Sequence, residues 1–87
     1  MEVSEIGERI KVRADFYPNG KVMPLLFKRN GHETYRVRRI NSTWEDREQE
    51  HKLLYFSLSV EGSDDVFQLC FREEDRTWWL ECVMLEG

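Results

Sequence analysis

The chain has 87 residues, with 13 Lys and Arg against 17 Asp and Glu and a formal net charge of −4. At 40% hydrophobic and 13% aromatic it reads as one small folded domain spanning 1–87, with 1–8 a flexible lead-in and the core over about 9–86. No run approaches the ~18 apolar residues of a membrane helix, and Met1-Glu2-Val3-Ser4-Glu5 lacks the basic and apolar segments of a secretory signal, so a cytoplasmic protein is expected.

Charge is uneven along the chain. Residues 1–40 carry nine Lys and Arg against five acids, whereas 41–87 carry four against twelve. Such asymmetry fits a nucleic-acid or acidic partner on one side, and equally fits attraction between two halves of a small fold or between two copies.

Ser4 can cap a single helical turn through Glu8, and Gly7 argues against anything longer. From Arg9 the period is two: Ile10, Val12, Ala14 and Phe16 alternate with Lys11, Arg13 and Asp15, a strand with one polar face. Tyr17-Pro18-Asn19-Gly20 supplies a turn. A second strand runs Lys21 to Lys28 with Met23, Leu25 and Phe27 inward, and Pro24 makes it an edge or bulges it. A loop centred on Gly31 sets Phe27 opposite Tyr35 and Leu25 opposite Val37.

The third strand, about Glu33 to Trp44, puts Tyr35 and Val37 on one parity and Ile40, Ser42 and Trp44 on the other. Both sets reach the core only if a bulge falls near Arg38-Arg39. Glu45 to Glu50 reads as a solvated loop. The fourth strand, His51 to Val60, turns Leu54, Phe56, Leu58 and Val60 to one face. A loop at Gly62-Ser63-Asp64-Asp65 then pairs Val60 with Phe67, Leu58 with Leu69 and Phe56 with Phe71. A second loop, Glu73-Glu74-Asp75-Arg76, pairs Phe71 with Trp78, Leu69 with Leu80 and Phe67 with Cys82. The expected fold is all-β: a six-stranded antiparallel meander curling into a small barrel, SH3-like or similar, with no substantial helix. In this register Cys70 and Cys82 lie on opposite faces and stay reduced.

Chemistry-bearing motifs are few. Two Cys and two His lack zinc-ligand spacing, and the five glycines serve turns rather than a phosphate loop. Cys70 has no neighbour that would activate it, and the acids at 64–65 and 73–75 read as solvated loops. The expectation is a non-catalytic domain with no metal, cofactor, small-molecule substrate or membrane contact.

Two features remain. The run Tyr35-Arg36-Val37-Arg38-Arg39, with Lys28, Arg29 and His32 in the adjoining hairpin, forms a basic outer stripe. Lys28, Arg29, Arg36, Arg38 and Arg39 are candidate nucleic-acid contacts, although Tyr35 points inward and leaves the stripe without an aromatic for stacking. The second feature is an apolar set opposite the core: Leu53, Tyr55, Cys70, Trp79, Val83 and Leu85, joined by Val22 and Leu26. Either the curled sheet buries it or a protein partner or second copy covers it, which makes Leu53, Tyr55, Trp79, Val83 and Leu85 candidate interface residues.

The segment Phe27-Lys28-Arg29-Asn30-Gly31-His32-Glu33-Thr34-Tyr35-Arg36-Val37, continuing to Ile40 and Trp44 and closing on Trp78-Trp79-Leu80, resembles a small bacterial all-β family of unknown function. Its members read F-x-W-x-G-x-x-Y-x-V, then an apolar residue and a Trp, then a closing W-x-L; Arg29 stands at the family's first Trp. The resemblance spans about Ile10 to Val83. Some members are encoded beside, or fused to, Y-family translesion DNA polymerases. The resemblance implies an accessory or interaction domain linked to DNA repair, with no catalytic residues to carry over.

Overall fold

Period-two patterning makes strands of nearly the whole chain, and a computed structural model describes residues 2–31 and 33–85. His32 of the basic hairpin and the Glu86 limit of the expected core lie outside the described residues. The strands are β1 (Glu2–Phe16), β2 (Val22–Lys28), β3 (Thr34–Glu48), β4 (His51–Val60), β5 (Val66–Arg72) and β6 (Thr77–Leu85). Each pairs antiparallel with the next, and β6 returns to β1 to close the sheet into a barrel. Among the described residues there is no helix, and so none that is long and apolar enough to cross a membrane.

The barrel interior holds Ile10, Phe27, Phe56, Leu58, Val60, Phe67, Leu69, Phe71, Trp78, Leu80 and Val83. Phe27, Leu58, Leu69 and Leu80 are shut off from solvent, and each such side chain contributes about 1.5–3 kcal/mol by leaving water. Ring contacts knit the interior. Phe27 stacks on Tyr35 with centroids 5.1 Å apart, and Trp78 meets Phe71 at 4.8 Å and Phe56 at 5.6 Å.

A sheet this narrow closes only by bending, and β-bulges do the bending. Each bulge reverses the alternation of faces beyond it, which is where the structure departs from a uniform period of two. β1 begins at Glu2 rather than after a helical turn; its bulge lies between Glu5 and Glu8, where Gly7 has φ +66°. β2 skips Leu25, so that Ala14 faces Pro24. Pro24 and Val22 therefore turn toward the core, while Leu25 is 39% exposed. The β2–β3 ladder consists of Leu26↔Arg36, Phe27↔Tyr35 and Lys28↔Thr34. The Phe27 pairing is as expected, but Leu25 has no partner at Val37.

β3 carries the expected bulge at Arg38 and a second one at Asn41. The second bulge turns Trp44 outward, 40% exposed, instead of into the core. Glu45–Glu48 is strand rather than loop, and Gln49-Glu50 alone makes the turn. The β4–β5 register is Leu58↔Phe67, Phe56↔Leu69 and Leu54↔Phe71, two residues from the expected one. An even slip preserves every face, so the core set survives. β5–β6 keeps Phe71↔Trp78 and Leu69↔Leu80, after which a bulge at Glu81 sets Val83, not Cys82, opposite Phe67.

Candidate functional site

The register lines up one residue from each of five strands on the outside of the barrel: Trp44, Tyr55, Cys70, Trp79 and Arg9. Side chains at directly opposed positions lie within contact range. Trp44 stacks on Tyr55 with centroids 5.4 Å apart and an interplanar angle of 8°. The Trp79 indole N–H donates to Thr77 Oγ1 at 3.0 Å, and the Thr77 hydroxyl donates to Asp75 Oδ1 at 2.7 Å, so a chain of hydrogen bonds holds the indole over its own strand.

Leu53, Tyr55, Cys70 and Trp79 are thus gathered on one outer face as expected. Leu53 and Cys70 are 8% and 2% exposed, however, and form a floor between larger rings rather than a contact surface. Above that floor is a cleft of about 180 Å³ lined by Tyr55 and Trp79, with Glu48, Glu81 and Arg72 as its charged walls. Burial first, then Cys70, Glu81 and Asp46, push the Tyr55 hydroxyl up to about 12. Burial and Glu81 push the Cys70 thiol up to about 11.

Two expected interface residues do not belong to this face. Val83 is 5% exposed inside the barrel, because the Glu81 bulge reversed its side. Leu85 shares the parity of Val83 and lies at the barrel mouth beside Ser4 and Ile6, 36% exposed. Val22, expected with the outer set, packs on the core. Both cysteines are free and buried, but opposite faces are not the reason: Cys82 sits opposite Gln68, two residues from Cys70 on the same face.

The basic candidates also divide. Arg29 is held by Glu8, with Nη2–Oε1 at 2.9 Å and Nε at 3.3 and 3.4 Å from the two carboxylate oxygens. Arg39 Nε donates to Asn41 Oδ1 at 2.9 Å. Lys28, Arg36 and Arg38 are exposed, and none forms an ion pair among the described residues. The β1–β2 hairpin brings Lys11 and Arg13 of β1 beside them, since Lys11 faces Lys28, and Arg13 and Arg36 both face Leu26.

The sequence reading missed Trp44, Lys11, Arg13 and Phe16 as site residues. For Lys11 and Arg13 the signal was the polar face of β1 together with the Tyr17–Gly20 turn, which pairs β1 with β2; the exact meeting of Lys11 with Lys28 depends on the bulge at Leu25. Among the described residues no group of three or more His, Cys, Asp or Glu is placed to hold a metal ion. Comparison with protein-family models, curated proteins and solved structures finds no match.

Proposed function

We propose that this domain is a non-catalytic protein-interaction module whose outer aromatic row receives a basic side chain of a partner protein. The observation that carries this reading is the cleft between Tyr55 and Trp79, with an apolar floor of Leu53 and Cys70 and carboxylates of Glu48 and Glu81 against the single cation of Arg72. A Lys or Arg stem packs against such a floor while its head group meets ring faces and carboxylates. Half-exposed tryptophans are typical binding anchors. The strand-addition mode of recognition is disfavoured here: Val22–Leu25 of β2 has no β3 partner, but Pro24 interrupts it.

The test is a titration of isotope-labelled protein with a short arginine-bearing peptide, followed by chemical shifts. The expected result is saturable shifts at the Trp79 indole and at the amides of Glu48, Tyr55 and Glu81, abolished in the Glu48→Gln/Glu81→Gln variant. Absence of shifts, or the same shifts in that variant, overturns the reading. Light scattering showing a dimer that Trp44→Ala dissolves would assign the row to self-association instead.

A further inference from the structure

The opposite side of the barrel carries the reverse charge. Along β1, Arg9, Lys11 and Arg13 all point outward and are exposed, until Asp15 closes the series. Register places Lys11 directly against Lys28, and sets Arg13 and Arg36 on either side of Leu26. Like charges placed opposite one another on a sheet destabilise it, and here no carboxylate relieves them: the Lys11, Arg13, Lys28, Arg36 and Arg38 side chains form no ion pair among the described residues. Of the neighbouring acids, Glu8 is engaged with Arg29 and the Asn30 N–H and Glu33 accepts from the Tyr35 hydroxyl, while Asp15 lies at the end of the series and forms no ion pair among the described residues.

Between these cations lies a cleft of about 430 Å³, lined by Lys11, Arg13 and Lys28 together with Leu26 and Phe16. The Phe16 ring, at the end of β1 on the parity of Ile10, Val12 and Ala14, meets Phe71 edge-on at 5.7 Å yet is 61% exposed and borders the cleft. It supplies the accessible aromatic that Tyr35, stacked on Phe27 on the inward side, does not. Alternate residues of a strand are about 6.8 Å apart, close to the repeat of an extended phosphodiester chain. A cationic groove tracking the backbone beside an exposed ring is how sequence-tolerant single-strand binding works.

We propose that the β1–β2–β3 face binds single-stranded nucleic acid, with Lys11, Arg13, Lys28 and Arg36 on phosphates and Phe16 stacking on a base. Lys11, Arg13, Phe16, Lys28 and Arg36 all lie outside the aromatic row, whose β1 member is Arg9, so the two proposals stand or fall separately. Duplexes lack unstacked bases for Phe16, and an acidic polypeptide lacks bases altogether, so both bind more weakly.

The experiment is fluorescence anisotropy with a labelled oligothymidylate of about 12 nucleotides. Four phosphate contacts predict a roughly 50-fold loss of affinity between about 50 and 200 mM salt. The Lys11→Ala/Arg13→Ala/Lys28→Ala variant should lose most of that salt dependence, and Phe16→Ala should weaken the single strand several-fold while leaving duplex binding unchanged. These residues are exposed, and circular dichroism melts check that each variant is folded. As a second readout, Lys28→Gln alone should lower affinity yet melt no lower than the parent, because it removes the repulsion from Lys11. No binding at ~50 mM salt, equal binding of polyglutamate, or a triple variant that binds like the parent would each overturn the proposal.

Discussion

Trp44 and Tyr55 face each other across β3 and β4 with their rings nearly parallel, 8° apart, on the outside of the barrel. Trp78, in contrast, is 7% exposed inside it, against Phe56 and Phe71. The two tryptophans therefore differ in what their removal costs. Trp44→Ala loses a stacking pair worth ~1 kcal/mol, which lowers the melting temperature by about 4–8 °C in a domain of this size. Trp78→Ala leaves a cavity and costs ~3–5 kcal/mol, enough to unfold a marginal small domain. Denaturant melts of the two variants check this, and equal losses would mean that the Asn41 bulge does not turn Trp44 outward.

The β3–β4 hairpin turns through Gln49 and Glu50, which have φ +54° and +82°. Two consecutive positive φ values make a turn whose twist suits a hairpin, yet side chains other than Gly and Asn are strained there. Gln49→Asn/Glu50→Gly should accordingly stabilise the domain by about 0.5–1.5 kcal/mol, the strain relief being partly offset by the greater freedom of Gly in the unfolded chain. Thermal melts read the effect as a rise of several degrees. A lower melting temperature would contradict the left-handed turn.

Strand identity was legible because the barrel is hydrophobic on alternate residues almost throughout. The inward faces of β4 and β5 follow from Phe56, Leu58, Phe67 and Leu69 alone, and survive a two-residue error in their register. Bulges were legible only where two apolar parities collided within one strand, as at Arg38. At Leu25 and Glu81 an apolar residue stands on both parities, so the sequence pattern reads equally well with and without a bulge. Hence Leu25 and Val83 exchange sides relative to the periodic reading, and Val83 leaves the candidate interface. The Glu45–Glu48 strand end was masked by its charge, which reflects a solvated face rather than a loop. The juxtaposition of β1 with β2 is a hairpin that the Tyr17–Gly20 turn encodes locally; what the pattern hides is the extra residue at Leu25, which shifts the register so that Lys11 meets Lys28.

The Glu8–Arg29 pair makes a pH-dependent contribution. Hydrogen bonds from Arg29 first, and then from the Asn30 N–H, hold the Glu8 carboxyl below its ordinary value of 4.5. A carboxylate whose folded-state value lies below its unfolded one contributes its stabilisation fully above the unfolded value and loses it as pH falls through the folded value. Glu8→Gln should thus cost stability at pH 7 and very little at pH 3, narrowing the difference between the two proteins progressively below about pH 5. Urea melts across this range give the comparison. A Glu8→Gln deficit that stays constant from pH 7 to pH 3 would assign the loss to packing rather than to the ion pair.

Cys70 provides a chemical reporter for the outer row. It is 2% exposed, with Tyr55 and Trp79 as its cross-strand neighbours, and its thiol is pushed up to about 11 by burial first and Glu81 second. Only the thiolate attacks a disulfide reagent, so at pH 8 about one molecule in a thousand carries the reactive form even before access is considered. Cys82 is 9% exposed, and its thiol is likewise raised by burial, then by Glu5 and Glu81. Both thiols should therefore react with an aromatic disulfide at least ~100-fold more slowly in the native protein than in denaturant. Trp79→Ser should open the floor of the cleft and accelerate Cys70 by about tenfold or more, with Cys82 little changed, as mass mapping of the labelled peptides would read. Should Cys70 label at the same rate with and without the indole, the ring is not what covers it, and the Tyr55–Trp79 cleft would lose the apolar floor on which binding of a basic side chain depends.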